Sequence, residues 1–428
     1  MFASGSLIGG PLFGLFFDRW NIPKLITASG VLCIFLGSFL FVLQNEVAIL
    51  FGRFLAGIGA GIEGGIVGLI SKSSSPASRS KKISILYGLK QIGVILGPLM
   101  ISIFLGGVEE KCFKQNSYDD DLCIVGINNH NSTGYFQLGF SGILLLLVLV
   151  FAQNHEVKQI EPEAQKTAVS EIKLRQIKPF KIINEISIVC CFSTMAMYSL
   201  QSSTEAILPQ FTKYFLGFGA VENSYVYAIA GGSAIFGFLA LTIIVRCLKS
   251  HEILLTGLSF ELFISVILMI ALVFVDFQAP WFIPVALPGI VIYALFLSFI
   301  ISSASTILSR SSPPERQSLM QGIRIALEKV SIILTNLFSG QIYNITTSFA
   351  SIFILTTTLL TLAVGFVVTS WRVLDVDAVQ FLHQMRKMEE SEVFENSAFE
   401  EISTKPASVP QGSRLRRQTT TEVREEYL

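Results

Sequence analysis

Charge is what this chain has least of. Only 14% of its residues are Asp, Glu, Lys or Arg, and 31 basic side chains are matched by 31 acidic ones. A formal net charge of zero leaves no basic face for a phosphate backbone, so nucleic acid is not an expected partner. Histidine is scarcer still. His130, His155, His251 and His383 all read as loop or tail residues, which argues against an intramembrane metal or proton site built on imidazole. No Ser/His/Asp, Cys/His or metal-spaced constellation occurs and no phosphate-cradling glycine loop, so neither an enzyme nor a bound cofactor or metal is expected. The six cysteines form no paired framework. Cys33, Cys190, Cys191 and Cys247 lie in or beside apolar runs and read as small hydrophobes. Cys112 and Cys123 flank an acidic, Asn-rich loop, where a disulfide and two free thiols are both open.

Apolar residues are what the chain has in excess. With 51% hydrophobic residues, 35 phenylalanines and a mean hydropathy of +0.62, it reads as an all-α, polytopic membrane protein, because a soluble domain cannot hide that much apolar surface. The bilayer is thus its first partner, a small molecule or ion its expected substrate, and a monomer its expected form. Eleven spans are predicted, five and then six. The first five are Phe2–Phe17, Leu25–Leu43, Val47–Ile70, Ile83–Gly106 and Phe136–Phe151. The others are Ile182–Leu208, Tyr225–Val245, Ile253–Val275, Trp281–Leu308, Leu319–Tyr343 and Phe349–Trp371. This divides the chain into a first bundle (1–152), a polar linker (153–181), a second bundle (182–371) and a tail (372–428) expected to be cytosolic and disordered. The first span has no charged flank and no small-residue cleavage site, so it does not read as a cleaved signal peptide.

Lys and Arg concentrate in the segments 18–24, 71–82, 153–181, 246–252 and 309–318, which places these on the cytosolic side. Both Asn-x-Ser/Thr sequons, at Asn131 and Asn344, then fall in loops on the opposite side, where glycosylation occurs. In the tail, Arg414, Arg416 and Arg417 precede Thr419, the setting of a phosphorylation site.

The stretch from Gly52 to Gly65 places two charges inside a span. At about 100° per residue, Arg53 and Glu63 share a face with Ala56, Gly57, Ala60, Gly64 and Val67. Charge in hydrocarbon costs several kcal/mol, so that face is expected to turn away from lipid. Two readings remain: a tight helix contact with Arg53 reaching outward, or charges lining a solute path.

The segment Gly14-Leu-Phe-Phe-Asp18-Arg19-Trp-Asn-Ile-Pro-Lys24 resembles the signature between the second and third helices of the major facilitator superfamily. There the resemblance implies a cytosolic latch formed by Gly14, Asp18, Arg19 and Lys24. Here Asn21 replaces the usual glycine and Pro23 interrupts the basic pair. Arg53 to Gly61 is similar to the family's fourth-helix motif, and Gly93, Gly97 and Pro98 to the antiporter-associated bend of its fifth. Within the superfamily, Ala3 to about Trp371 is most similar to the domain-containing protein 8 group of late-endosomal and lysosomal proteins. The likeness rests on Gly57-Ile-Gly59-Ala-Gly61, Ile95-Leu96-Gly97-Pro98, Thr204-Glu205 with Pro209, and Glu252 to Gly257. The resemblance implies two six-helix halves around a central cavity, with Phe2–Phe17 as the second helix and the first apparently missing.

Further polar residues lie deep in predicted spans. Lys90 and Gln91 precede the Gly-Pro bend by one turn, and Arg324 and Glu328 are spaced to pair, with Lys329 turned away. Glu205 precedes Pro209 by one turn, so its carbonyl loses its helical partner and a carboxylate and a free carbonyl occur together. Glu261 reads as a snorkelling side chain or a contact cap. The function this suggests is a secondary carrier, with lysosomal location implied by the resemblance, in which Glu63 or Glu205 changes protonation with the access state. The alternatives are an anion pathway along Arg53, Lys90, Arg324 and Lys329, and a membrane protein that does not transport.

Overall fold

Long apolar runs with few breakers become long helices, and polar or fixed-φ residues mark their ends. The computed structural model describes residues 1–20, 22–43, 45–107, 111–115, 123–127, 132–152, 185–274, 282–346 and 349–375. These belong to one unit, Met1–Val376; a second, Asp377–Leu428, lies outside the described residues, as do the expected linker, Asn131 and Thr419. The helices of the first part are α1 (Phe2–Arg19), α2 (Pro23–Val42), α3 (Glu46–Ala60), α4 (Ile62–Lys72), α5 (Pro76–Gly107) and α6 (Ser132–Phe151). Those of the second are α7 (Glu185–Leu216), α8 (Ala220–Ile244), α9 (Ser250–Phe274), α10 (Phe282–Ser311), α11 (Gln317–Thr346), α12 (Phe349–Thr369) and α13 (Trp371–Leu374). Pro23 opens α2 at a position where its missing N–H costs nothing. Asn45 caps α3, its side-chain oxygen accepting from the amides of Val47 (3.0 Å) and Ala48 (3.3 Å).

Between α5 and α6 the chain makes a short antiparallel hairpin, β1 (Lys111–Gln115) and β2 (Cys123–Ile127). Cys112 pairs with Gly126 and Cys123 with Gln115; the cysteine side chains lie outside the described residues. Among the described residues, seven helices are long and apolar enough to cross a membrane. Their outer faces carry exposed Leu, Ile, Val and Phe, such as Phe140, Ile143 and Leu147 on α6, as surfaces solvated by lipid would.

The helix contacts follow a repeating plan. A correspondence of α1 with α8, α2 with α9, α3/α4 with α10, α5 with α11 and α6 with α12 carries the main contacts of one part onto contacts of the other. Thus α1 on α3 matches α8 on α10, α2 on α6 matches α9 on α12, and α1 on α11 matches α8 on α5. This is the mark of a pseudo-two-fold axis. Helix α7, packed on α10, α11 and α12, has no counterpart among the described residues.

Glycine makes the closest of these contacts. A Cβ at Gly5 or Gly9 of α1 would collide with the backbone of Phe54 or Ile58 on α3, and one at Gly57 with the carbonyl of Phe2. On its other side α1 lies backbone to backbone on α11, where a Cβ at Gly10 would come within 2.7 Å of the Gly322 carbonyl.

Several expectations are corrected. The span expected over Val47–Ile70 is one crossing, Glu46–Lys72, its helix marked into α3 and α4 by a single turn residue, Gly61, where a Cβ would strike the backbone of Gly9 and Gly10. His251 is not a loop residue: it sits in the first turn of α9, buried edge-on against Trp371 with ring centroids 4.5 Å apart. The start of the expected tail is helical, with Leu374 buried and Asp375 paired to Lys249 at 2.6 Å. Asn344 lies in the last turns of α11 rather than in a loop.

Gly322→Ala should therefore lower thermal stability in detergent by about 1–3 kcal/mol, the usual cost of overpacking. Gly340→Ala, on the same helix with no neighbour within 4 Å, should leave the melting temperature unchanged or slightly raised.

Candidate functional site

Three helices bring polar stripes to one place. Tyr87, Lys90, Gln91 and Val94 of α5, Tyr198, Gln201, Ser202 and Glu205 of α7, and Lys329, Ile332 and Asn336 of α11 line a cavity of about 480 Å³, completed by Phe238 of α8 and Leu297 and Ile301 of α10. In each polar helix the residues recur at three-, four- and seven-residue spacing, which puts them on one face.

The charges around the cavity are tied to one another. Glu63 of α4 accepts from Lys90 of α5 at 2.6 Å, and Lys90 also lies over the Tyr87 ring, 5.9 Å from its centre. Arg324, 1% exposed, forms an ion pair with Glu328 one turn along α11. Its other nitrogens donate to Gln321 (3.0 Å) and to the Tyr87 hydroxyl (2.6 Å), which in turn meets Ser305 of α10 at 3.1 Å. One buried guanidinium thus joins α11, α5 and α10. Lys329 makes no ion pair among the described residues and lies over the Tyr198 ring at 5.7 Å. It is the cation left to face the cavity.

At Glu205, Gln201 donates to the carboxylate at 2.8 Å. Pro209 lies inside α7, which continues through it, and the backbone carbonyl of Glu205, deprived of its helical donor by the proline, accepts from the Tyr227 hydroxyl of α8 at 3.1 Å. The proline therefore opens a place for a neighbouring helix to bind.

One end of the assembly is latched. Asp18, at the end of α1, accepts from the amides of Ser318 (3.2 Å) and Leu319 (2.7 Å) at the start of α11, and from Lys72 of α4 at 2.5 Å. A carboxylate at a helix N-terminus meets both unsatisfied N–H groups and the positive end of the dipole. Nearby, Arg79 of α5 donates to the Ser309 carbonyl of α10 at 3.2 Å. Gly14 lets this end close, since a Cβ there would lie 2.5 Å from the Ser318 carbonyl.

This constellation of paired bundles, central cavity and charged latch has a family. The sequence profile of the Major Facilitator Superfamily matches residues 1–323. The chain belongs to the Major Facilitator Superfamily. It is accordingly a multi-pass integral membrane protein of a transporter family and not an enzyme. Among solved structures it is similar to the proton:xylose symporter XylE bound to 6-bromo-6-deoxy-D-glucose, at TM-score 0.69 and 14% identity over 88% of this chain and 87% of that one. The human organic anion transporter MFSD10 (TETRAN) aligns with TM-score 0.65 and 13% identity over 86% and 82%. The E. coli fucose:proton symporter FucP gives 0.60 and 12% over 86% and 88%. At such identity the likeness is one of fold. A comparison with curated proteins finds no match.

Seen in that family frame, the predicted site residues separate. Lys90, Gln91 and Glu205 line the cavity; Glu63, Arg324 and Glu328 form the charge network beside it. Arg53 does not join them. It is exposed on α3, its guanidinium 4.3 Å from the centre of the Phe41 ring of α2. Ten residues at about 100° each already leave roughly 80° between positions 53 and 63, and the turn at Gly61 falls between them. The latch works through Lys72 and the start of α11, with Arg19 exposed and Lys24 in the first turn of α2. Gly93 and Gly97 have no neighbour within 4 Å, and α5 continues through them and Pro98 as one helix. Tyr87, Tyr198, Ser202 and Asn336 were not singled out from the sequence, although each shares a helical face with a charged or amide residue that was noted.

Glu328→Leu should leave Arg324 as an uncompensated buried charge and cost about 3–5 kcal/mol. Adding Arg324→Met should restore most of that loss in thermal unfolding, and failure of the double variant to recover would contradict the pairing.

Proposed function

We propose that this chain is a secondary carrier that moves a small solute through the central cavity by alternating access. The observation that carries this reading is the cavity itself, lined by helices of both parts and separated from one end of the molecule by the Asp18 latch. The first bundle, 1–152, and the second, 182–371, would rock about it. The latched end is cytosolic by the distribution of Lys and Arg.

Lys329, which lines the cavity and makes no ion pair among the described residues, favours a solute carrying negative charge. A fold shared with an organic anion transporter and with two proton-coupled sugar symporters supports the same class of carrier with protons as the driving ion. Glu205 is the coupling carboxylate of this proposal, because it lines the cavity and makes no ion pair among the described residues, its carboxylate accepting from the Gln201 amide, whereas Glu63 is held by Lys90. Likeness to the domain-containing protein 8 group supports a late-endosomal or lysosomal membrane. A second reading, an anion-conducting pathway, is favoured by the presence of Lys90 and Lys329 in the cavity wall, with Arg324 in the network beside it.

In vesicles reconstituted with the purified chain, uptake of labelled small organic anions should saturate and respond to an imposed pH gradient. Glu205→Gln should abolish the pH response, and Lys329→Gln should lower anion uptake. Unchanged pH-driven flux in Glu205→Gln removes that residue from coupling. Currents that follow a chloride gradient without saturating select the pathway reading, and no flux of either kind leaves a non-transporting protein.

A further inference from the structure

The cavity wall carries two opposite charges that do not meet. Lys90 is taken by Glu63 and Arg324 by Glu328, which leaves Lys329 of α11 and Glu205 of α7. Neither makes an ion pair among the described residues. Glu261, another carboxylate inside a span, is fully buried on α9 rather than snorkelling as expected, and it does not line the cavity.

Helix geometry sets how far apart the two poles stand. The Lys329 nitrogen lies over the Tyr198 ring, 5.7 Å from its centre. Helical side chains lean toward the N-terminus, and the Glu205 carboxylate accordingly lies one turn back, accepting from the Gln201 nitrogen at 2.8 Å. Tyr198 and Gln201 are themselves about one turn apart on α7, so roughly 5–10 Å of cavity separates the charges.

Beside the negative pole an acceptor waits for a donor. Gln201 gives its nitrogen to Glu205, and its buried oxygen has no hydrogen-bond partner among the described residues. An ammonium group, with three N–H donors, can meet both the carboxylate and this amide oxygen. The rest of the lining is largely apolar, with Val94, Ala206, Phe238, Leu297, Ile301 and Ile332.

Unpaired charge inside a membrane protein is costly, and the charge of the solute decides whether that cost falls or rises. A simple anion answers Lys329 and leaves Glu205 facing a second negative charge. A simple cation does the reverse. A zwitterion answers both poles and keeps the cavity and its contents neutral.

We propose that the solute is a small zwitterion of the amino-acid type with an apolar side group, its carboxylate on Lys329 and its ammonium group on Glu205 and Gln201. Opposite charges a few bonds apart span the gap with one charged hydrogen bond of about 2.8 Å at each end. The cavity of about 480 Å³ falls within the size range of small-molecule sites, roughly 300–1,000 Å³. The inference rests on the carrier reading above, concerns the state in which Glu205 is ionised, and adds the second pole of the solute.

Leucine, N-acetyl-leucine and leucine methyl ester separate the poles, because each derivative keeps the side group and loses one charge. Binding to the purified full chain is read as a saturable rise in melting temperature, and transport as uptake into vesicles. Leucine should bind at least tenfold more tightly than either derivative. In Glu205→Gln the preference over N-acetyl-leucine should vanish while that over the ester survives, and in Lys329→Gln the pattern should reverse. Gln201→Leu, which leaves both charges in place, should weaken leucine and spare N-acetyl-leucine. Equal weakening of all three solutes in every variant would show a structural role and overturn the assignment of these residues. Equal binding of leucine and N-acetyl-leucine to the wild type, or uptake of organic anions without any binding of leucine, would overturn the second pole and leave an anion carrier. Absence of binding and flux for every solute, anions included, would instead bring down the carrier reading and this inference with it.

Discussion

The architecture depends on α1 touching α11 with no side chain between them. Gly10 and Gly14 on one helix, with Gly322 and the backbone of Ser318 on the other, set a separation that any larger residue would widen. Because α1 also lies against α3 and α4 through Gly5, Gly9 and Gly61, it acts as the shared wall between the first part of the chain and the second. The Asp18 carboxylate can reach the first amides of α11 only because this approach is so close. In lipid there is no hydrophobic drive to bring helices together, so close backbone packing and polar contacts must supply what holds them.

The same scarcity of water governs the charges. Arg324 is nearly inaccessible, yet each of its reaching nitrogens has an oxygen partner, drawn from Gln321, Glu328 and Tyr87. Such a network sets the mutual position of α5, α10 and α11 rather than adding much net stability, since desolvation offsets most of the attraction. Glu261 lies at the opposite extreme, with burial as complete and neither carboxylate oxygen hydrogen-bonded among the described residues. Two fully buried ionisable groups in one molecule thus receive opposite solutions, and the presence or absence of a partner separates them.

The helices were largely legible in the sequence because apolar runs of membrane length admit few other structures. Where reading failed, the cause was geometric. Arg53 and Glu63 were placed on one broad face although ten residues leave them about 80° apart even on a straight helix, and the turn at Gly61, packed on α1, falls between them. The pairing of Arg324 with Glu328 was visible as an i, i+4 spacing, and so was the release of the Glu205 carbonyl by Pro209. The acceptors and donors supplied by distant segments were not: Lys72 for Asp18 and Tyr227 for the Glu205 carbonyl follow only from packing. The polar stripes Tyr87-Lys90-Gln91 and Tyr198-Gln201-Ser202-Glu205 were present at helical spacing. Weighing charged residues singly hid them, because an uncharged Tyr or Ser carries little signal until its neighbours on the same face are counted.

In the proposed carrier cycle the Asp18 end would have to open, and the contacts there are suited to it. A carboxylate at a helix N-terminus is worth about 0.3–1 kcal/mol where exposed and up to about 2 kcal/mol when partly buried. The ion pair with Lys72 joins two helices of the same part, α1 and α4, so it need not break when α11 moves away. Lys72 can then keep Asp18 from becoming an unpaired buried charge in the open state, which lowers the cost of opening. A solute that prefers one state by about 1.4 kcal/mol shifts the balance tenfold. The larger part of the closing energy therefore resides in the glycine contact, and small residues serve it well because backbone surfaces that meet without interlocked side chains can separate and meet again without repacking.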